Sequence, residues 1–317
     1  MGDSSASILG AVLPVLAIIG AGYVLRHRNV VDAAVQHGMM RVVLWLLFPC
    51  LVLDRVPHNA ALNSGSLPWA TLAAGFLSII AGLLIAWLTA PLFDVREAVA
   101  RRTFAYCTSI YNYGYVAIPL CQVLVGSDAV AVMLLFNAGI EVGIWTAGWV
   151  VLTGRLSKDV WARLLNPMTV GSLFALALNK TGAAVWIPEW LRATFAMLGA
   201  CAIPLGILMV GMALPALMSG FSWRSHLRAS LGACALRNGV IPLGMFAAAA
   251  LLALPRPLGP ILALQAAMPA GIFPIVVAQH FGGDARMALR VAIWSSLCAV
   301  FTMPLWLRLL STWFTGQ

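Results

Sequence analysis

The chain has 317 residues, 62% of them hydrophobic and 9% charged. A soluble domain carries roughly 25% charged residues, so this composition excludes a water-soluble fold and makes lipid the solvent. The net charge of +9 is read as positive residues kept in cytoplasmic loops; nucleic acid is excluded as a partner because no basic run with interleaved aromatics occurs.

In chain order, apolar stretches of spanning length run over 7–26, 38–56, 67–93, 101–125, 127–153, 164–180, 188–217, 225–254, 257–281 and 284–312. Each is near the roughly 20 residues that a bilayer core requires, and 164–180 is the shortest. The first stretch has no basic segment before it and no small-residue cleavage site, so it is expected to be retained. Cys50, Cys107, Cys121, Cys201, Cys234 and Cys298 are scattered through these stretches without a CxxC or a neighbouring His at ligand spacing. They read as small buried hydrophobes, and neither a metal site nor a cofactor is expected. With the N-terminus outside, twelve Lys and Arg residues fall in cytoplasmic loops and five on the other side. That bias predicts ten spans with both termini on the non-cytoplasmic side of the cytoplasmic (inner) membrane.

The prolines carry a repeat. Pro14 pairs with Pro167, Pro49 with Pro204, Pro119 with Pro274, and GSDA (126–129) with GGDA (282–285), each about 155 residues apart. Residues 1–158 and 159–317 then form two halves of five spans. Five is odd, so the second half enters the membrane inverted, an arrangement that recurs in secondary transporters. The fold class expected is an all-α polytopic membrane protein of ten transmembrane helices in two inverted five-helix repeats.

The fourth stretch contains YNYGYVAIPL and the ninth AAMPAGIFPIVVAQHFG. Pro119 and Pro274 interrupt the helical ladder and are placed to start a second half-helix. Asn112, Gly114, Pro269 and Gly271 widen the interruptions beyond a kink, and with Tyr113, Pro119 and Pro274 they are candidate substrate-binding residues. Unpaired backbone at bilayer depth is tolerated where it lines a cavity or is buried in protein. Two broken helices, the fourth and ninth, crossing near the midplane would aim half-helix N-termini at an anion such as a carboxylate.

Two ionisable residues lie within spans. Glu141 is either a coupling group for protons or sodium or the structural partner of Arg237. Arg237 is either that partner or a bidentate contact for the substrate anion. Asn238 either repeats the role of Asn112 or makes an interhelical hydrogen bond.

The ordered set LPVLAIIGAGYVLRHRNVV (13–31), LWLLFPCLVLDRV (44–56), YNYGYVAIPL (111–120), NPMTVGSLFALAL (166–178), AIPLGILMVGMAL (202–214) and AAMPAGIFPIVVAQHFG (266–282) resembles the auxin efflux carrier family. It is closest in style to the bacterial malonate and malate permeases of that family. The resemblance implies crossing broken helices similar to those of bile-acid symporters and sodium/proton antiporters. It also implies a scaffold domain from spans one, two, six and seven, a transport domain from the remaining spans, elevator-like motion and a homodimer through the scaffold. The substrate crossing would fall at Asn112, Pro119 and Pro274, and the substrate class would be small organic anions. A cation-coupled or cation-exchanging carrier of the same fold is the alternative, and a membrane sensor is less favoured. An intramembrane enzyme is not expected: Asp284 lies at a loop, and no partner Asp precedes it within a span.

Overall fold

The computed structural model describes residues 2–63, 65–155, 164–218, 225–252, 254–255 and 257–314. Lys158, Arg163, Arg224 and Arg256, which enter the charge count, lie outside the described residues, as does the 158/159 boundary between the expected halves.

The described residues form helices throughout, with one isolated β-bridge. They are α1 (Gly2–His27), α2 (Ala33–Arg55), α3 (Leu67–Phe93), α4 (Ala98–Ser109), α5 (Ala117–Leu124), α6 (Ala129–Thr153), α7 (Pro167–Thr181), α8 (Glu189–Met218), α9 (Leu227–Leu251), α10 (Leu258–Ala266), α11 (Phe273–His280) and α12 (Ala285–Phe314). Six helical segments among the described residues are long and apolar enough to cross a membrane: α2, α3, α6, α9, α12 and Glu189–Ala216 of α8. The protein is therefore a multi-pass, all-helical membrane protein. The other expected stretches take a different form. Leu13–His27 of α1 is a shorter apolar segment. The 15 residues of α7 are bounded by Asn166, whose side chain caps the first turn at Thr169 N, and by left-handed Gly182. Stretches 101–125 and 257–281 are each two short helices with irregular backbone between them.

Three of the long helices contain a π-helical turn: Val43–Leu47 in α2, Ile144–Gly148 in α6 and Leu236–Val240 in α9. Such a turn shifts the register of one helix face against the next, and it is frequent at functional positions. The turn in α9 carries Arg237 and Asn238, both buried.

The chain divides into two compact units. The first comprises Met1–Thr71, Gly114–Ala138 and Leu164–Phe221. In it α1 and α8 cross at small residues: a Cβ on Gly22 would collide with the Leu208 carbonyl, and one on Gly211 with the Ile19 carbonyl. Without lipid-side hydrophobic gain, such close backbone approach is what drives helix association. The Asn179 amide donates to the carbonyls of Val56 (3.3 Å), Pro57 (3.1 Å) and Asn59 (3.0 Å), which ties α7 to the turn after α2.

The second unit comprises Leu72–Tyr113, Gly139–Arg163 and Ser222–Gln317. Here α6 lies against α3, since a Cβ on Gly139 would strike the Leu72 carbonyl and one on Gly143 would crowd Ile79. Ser109 packs on Gly82 and Tyr106 on Gly148. Glu97 caps α4 by accepting from the amides of Val99 (3.0 Å) and Ala100 (2.7 Å). All the candidate site residues except Gly114 and Pro119 belong to this second unit.

Candidate functional site

The irregular segments 110–113 and 267–272 meet in the second unit. Ile110 leaves α4 in an extended conformation, φ −90° and ψ 110°. Tyr111 and Ala270 then face each other as an antiparallel β-bridge. Asn112 N–H donates to the Pro269 carbonyl at 2.8 Å, and Gly271 N–H donates to the Ile110 carbonyl at 2.9 Å. Backbone groups that the helices cannot satisfy are thus satisfied across the crossing, as membrane burial demands. Ser295 of α12 adds its Oγ as acceptor for Ala270 N–H at 3.2 Å, and the Gln265 amide donates to the Tyr113 carbonyl at 3.3 Å. A Cβ on Gly271 would meet the Tyr111 carbonyl oxygen at 3.2 Å and Pro274 at 3.3 Å, so glycine permits this approach.

The prolines sit within the first turns of the helices that follow. Pro274 is the second residue of α11. Pro119 is the third residue of α5, so the helix begins slightly before it. A missing N–H there removes little from the ladder, because first-turn amides lack intrahelical acceptors in any case. A Cβ added at Gly114, in the first unit, would stand 4.0 Å from the Phe48 ring.

Arg237 is fully buried against the crossing. Its Nη2 donates to the carbonyl of Ala266, the last residue of α10, at 3.0 Å. Its Cζ lies 4.7 Å from the centroid of the Tyr111 ring, whose hydroxyl bonds with Ser78 Oγ at 2.8 Å. The helix C-terminus and the ring face both favour a cation. Nε and Nη1 of Arg237 have no hydrogen-bond partner. A buried guanidinium with unmet donors and no carboxylate is costly, and here the unmet donors are next to the helix breaks.

Glu141, also buried, takes other partners. Tyr113 Oη donates a short hydrogen bond to Oε1, and Trp145 Nε1 donates to Oε2 at 2.8 Å. Arg237 and Glu141 form no ion pair. The Tyr113 ring meets the Tyr111 ring edge-on, with centroids 6.4 Å apart. Glu141, Tyr113, Tyr111 and Arg237 therefore form one continuous series of contacts.

Asn238 takes other partners. Its side-chain nitrogen donates to the Ser295 carbonyl at 3.1 Å and to Thr302 Oγ1 at 3.2 Å, and its backbone carbonyl accepts from Trp306 Nε1 at 2.9 Å. These are contacts between α9 and α12, the interhelical reading of that residue. The half-buried Asn112 side chain makes no hydrogen bond within the described residues. Sequence reasoning passed over Tyr111 and Ser78. Tyr111 stands inside the quoted YNYGY motif, but its position beneath a guanidinium is set by a residue far along the chain. Among the described residues, no group of three or more His, Cys, Asp or Glu side chains could hold a metal ion.

No curated protein matches this sequence. A family model described as a membrane transport protein matches residues 7–159 and 151–307. That match covers nearly the whole chain, including both breaks, Glu141 and Arg237, and the chain accordingly belongs to the auxin efflux carrier family of membrane transport proteins.

Proposed function

We propose that this protein is a secondary active carrier of small organic anions, such as carboxylates, across the cytoplasmic membrane. In this reading it has ten spans in two inverted halves and both termini on the non-cytoplasmic side. It forms a homodimer through a scaffold of spans one, two, six and seven, and its transport domain moves by an elevator mechanism. The observation that carries the reading is Arg237, a buried cation with two unmet nitrogen donors beside the crossing backbone and the end of α10. A carboxylate is the ligand for which a guanidinium edge is built.

The test is a thermal-shift screen of mono- and dicarboxylates on purified protein, followed by counterflow of the hits in proteoliposomes, because a ligand that binds the native state raises its unfolding temperature. Arg237→Met is expected to weaken anion binding by about 1.5–3 kcal/mol, the worth of a hydrogen bond to a charged group. Arg237→Lys is expected to fall between wild type and Met. Anion binding of wild-type strength in a folded Arg237→Met protein would remove Arg237 from the site and with it the main support for this reading.

A cation-coupled carrier is the second reading. It is favoured by Glu141, a buried carboxylate joined to the crossing through Tyr113.

A further inference from the structure

Glu141 and Arg237 are the two charged side chains in the middle of the helices of the second unit, among the described residues. The remaining charges of that unit stand near helix ends or in turns: Asp94, Arg96, Glu97, Arg101, Arg102, Arg155, Arg228, Asp284, Arg286, Arg290 and Arg308. Arg290 is buried too, but its guanidinium is held by Ser225 in the turn before α9, so the middle of these helices holds one cation and one carboxylate that do not touch. A monoanion placed on Arg237 would leave that interior with one uncompensated negative charge. Charge is expensive in such surroundings, and the cheapest remedy is a proton on the other carboxylate.

We propose that Glu141 takes up one proton for each anion bound beside Arg237, so that proton and anion cross together. This rests on the anion-carrier reading above. The chemistry is a simple protonation: carboxylate plus one proton gives carboxylic acid, and the proton leaves when the anion leaves. The linkage is reciprocal, since a group that binds protons better when the anion is present makes the anion bind better when the proton is present. The physical route is the contact series. Tyr113 Oη holds the Glu141 carboxylate, the two tyrosine rings meet edge-on, and Tyr111 lies under the guanidinium. Tyr113 also belongs to the crossing through its carbonyl, which accepts from Gln265.

The groups that surround Glu141 leave it as the proton acceptor. Tyr113 is a titratable side chain in direct contact with it. On α3, packed at Gly139 and Gly143, residues 67–93 contain no Asp, Glu, Lys, Arg or His. Trp145 packs edge-on against Phe273 of α11. Residues 258–279 likewise contain no Asp, Glu, Lys, Arg or His, and His280 stands at the last position of α11. On α4, Tyr106 lies against Gly148.

The experiment uses the full chain in proteoliposomes loaded with a pH-sensitive dye, with lactate, malonate, malate and succinate as probes. Lactate entry is expected to acidify the lumen at about one proton per anion, and entry of the dicarboxylates, doubly charged near neutral pH, at no less than that. Glu141→Gln is expected to lose that signal and lose uphill uptake while retaining measurable anion exchange, because Gln resembles the protonated acid. A second measurement needs no variant. Dicyclohexylcarbodiimide reacts with protonated carboxyl groups in apolar surroundings, so mass spectrometry of wild-type protein should find Glu141 labelled, and labelled at least twofold more when a transported anion is present. Anion exchange without acidification, acidification that survives in Glu141→Gln, or labelling of Glu141 that ignores the anion would each overturn the coupling and leave the carrier reading standing. Absence of exchange with all four probes would overturn the carrier reading, and the coupling with it.

Discussion

Single residues decide where charge is held in this protein. Arg237 and Glu141 were open to two readings in the sequence, as a mutual ion pair or as separate functional groups, and the side chains take separate partners. Their energetic signature differs accordingly. A buried ion pair broken on one side costs about 3–5 kcal/mol and is rescued when the other side is removed too. Separate sites combine additively within about 0.5 kcal/mol. The stability losses of Arg237→Met and Glu141→Gln, measured by thermal unfolding in detergent, should therefore add in the double variant with no rescue. Asn112 is the second residue to test. Its side chain is half-buried at the crossing and lacks a protein hydrogen bond among the described residues, which suits a substrate contact. Asn112→Ala should weaken anion binding by about 1–3 kcal/mol with little change in unfolding temperature. A large drop in stability instead would make Asn112 a packing residue.

At the scale of elements, the informative pieces are the places where helices stop. Residues 110–112 and 269–271 exchange backbone hydrogen bonds that no continuous helix would leave available. Gly271 allows the approach, so Gly271→Val should push the two segments apart and abolish transport while the protein still inserts. Pro274→Ala acts in the opposite sense, by letting the ladder of α10 propagate toward α11. Its expected result is loss of flux with normal membrane yield. Undiminished flux in both variants would mean that the break is incidental to transport. Packing of the long helices is testable separately from function. Gly139→Ala would force its new methyl against the Leu72 carbonyl, and overpacking of this kind costs about 1–3 kcal/mol, read as a lower unfolding temperature.

For the whole molecule, the question is how many times the chain crosses. Six described segments qualify by length and apolarity alone. The ten-span reading adds α1 and α7 and treats the pairs α4/α5 and α10/α11 as broken spans, in which two half-helices together cover a bilayer that neither covers alone. An even count places both termini on one side. Fusing a reporter that is active only outside the cytoplasm to either terminus should give activity in both fusions, and opposite results at the two ends would rule out an even number of spans. A homodimer would be read from the mass of the purified protein in detergent.

Membrane residence, the positions of the apolar stretches and the two breaks were legible in the sequence, because each depends on local chemistry. Composition decides the solvent, run length decides what can span, and proline with glycine interrupts a helix wherever it occurs. The ionisable residues at depth, Glu141 and Arg237, were legible for the same reason. Their partners were not. Tyr113 reaches Glu141, Tyr111 lies under Arg237, and Asn238 bonds to Ser295 and Thr302, all between residues distant in sequence. The π-turn at Leu236–Val240 has no periodic signature in its five residues, yet it carries the buried Arg237 and Asn238, of which the first contacts Ala266 and Tyr111 and the second contacts α12. The tertiary structure alone decided those partners, because a side chain in a low-dielectric interior takes the hydrogen bonds that packing brings within reach, and packing is a property of the assembled helices.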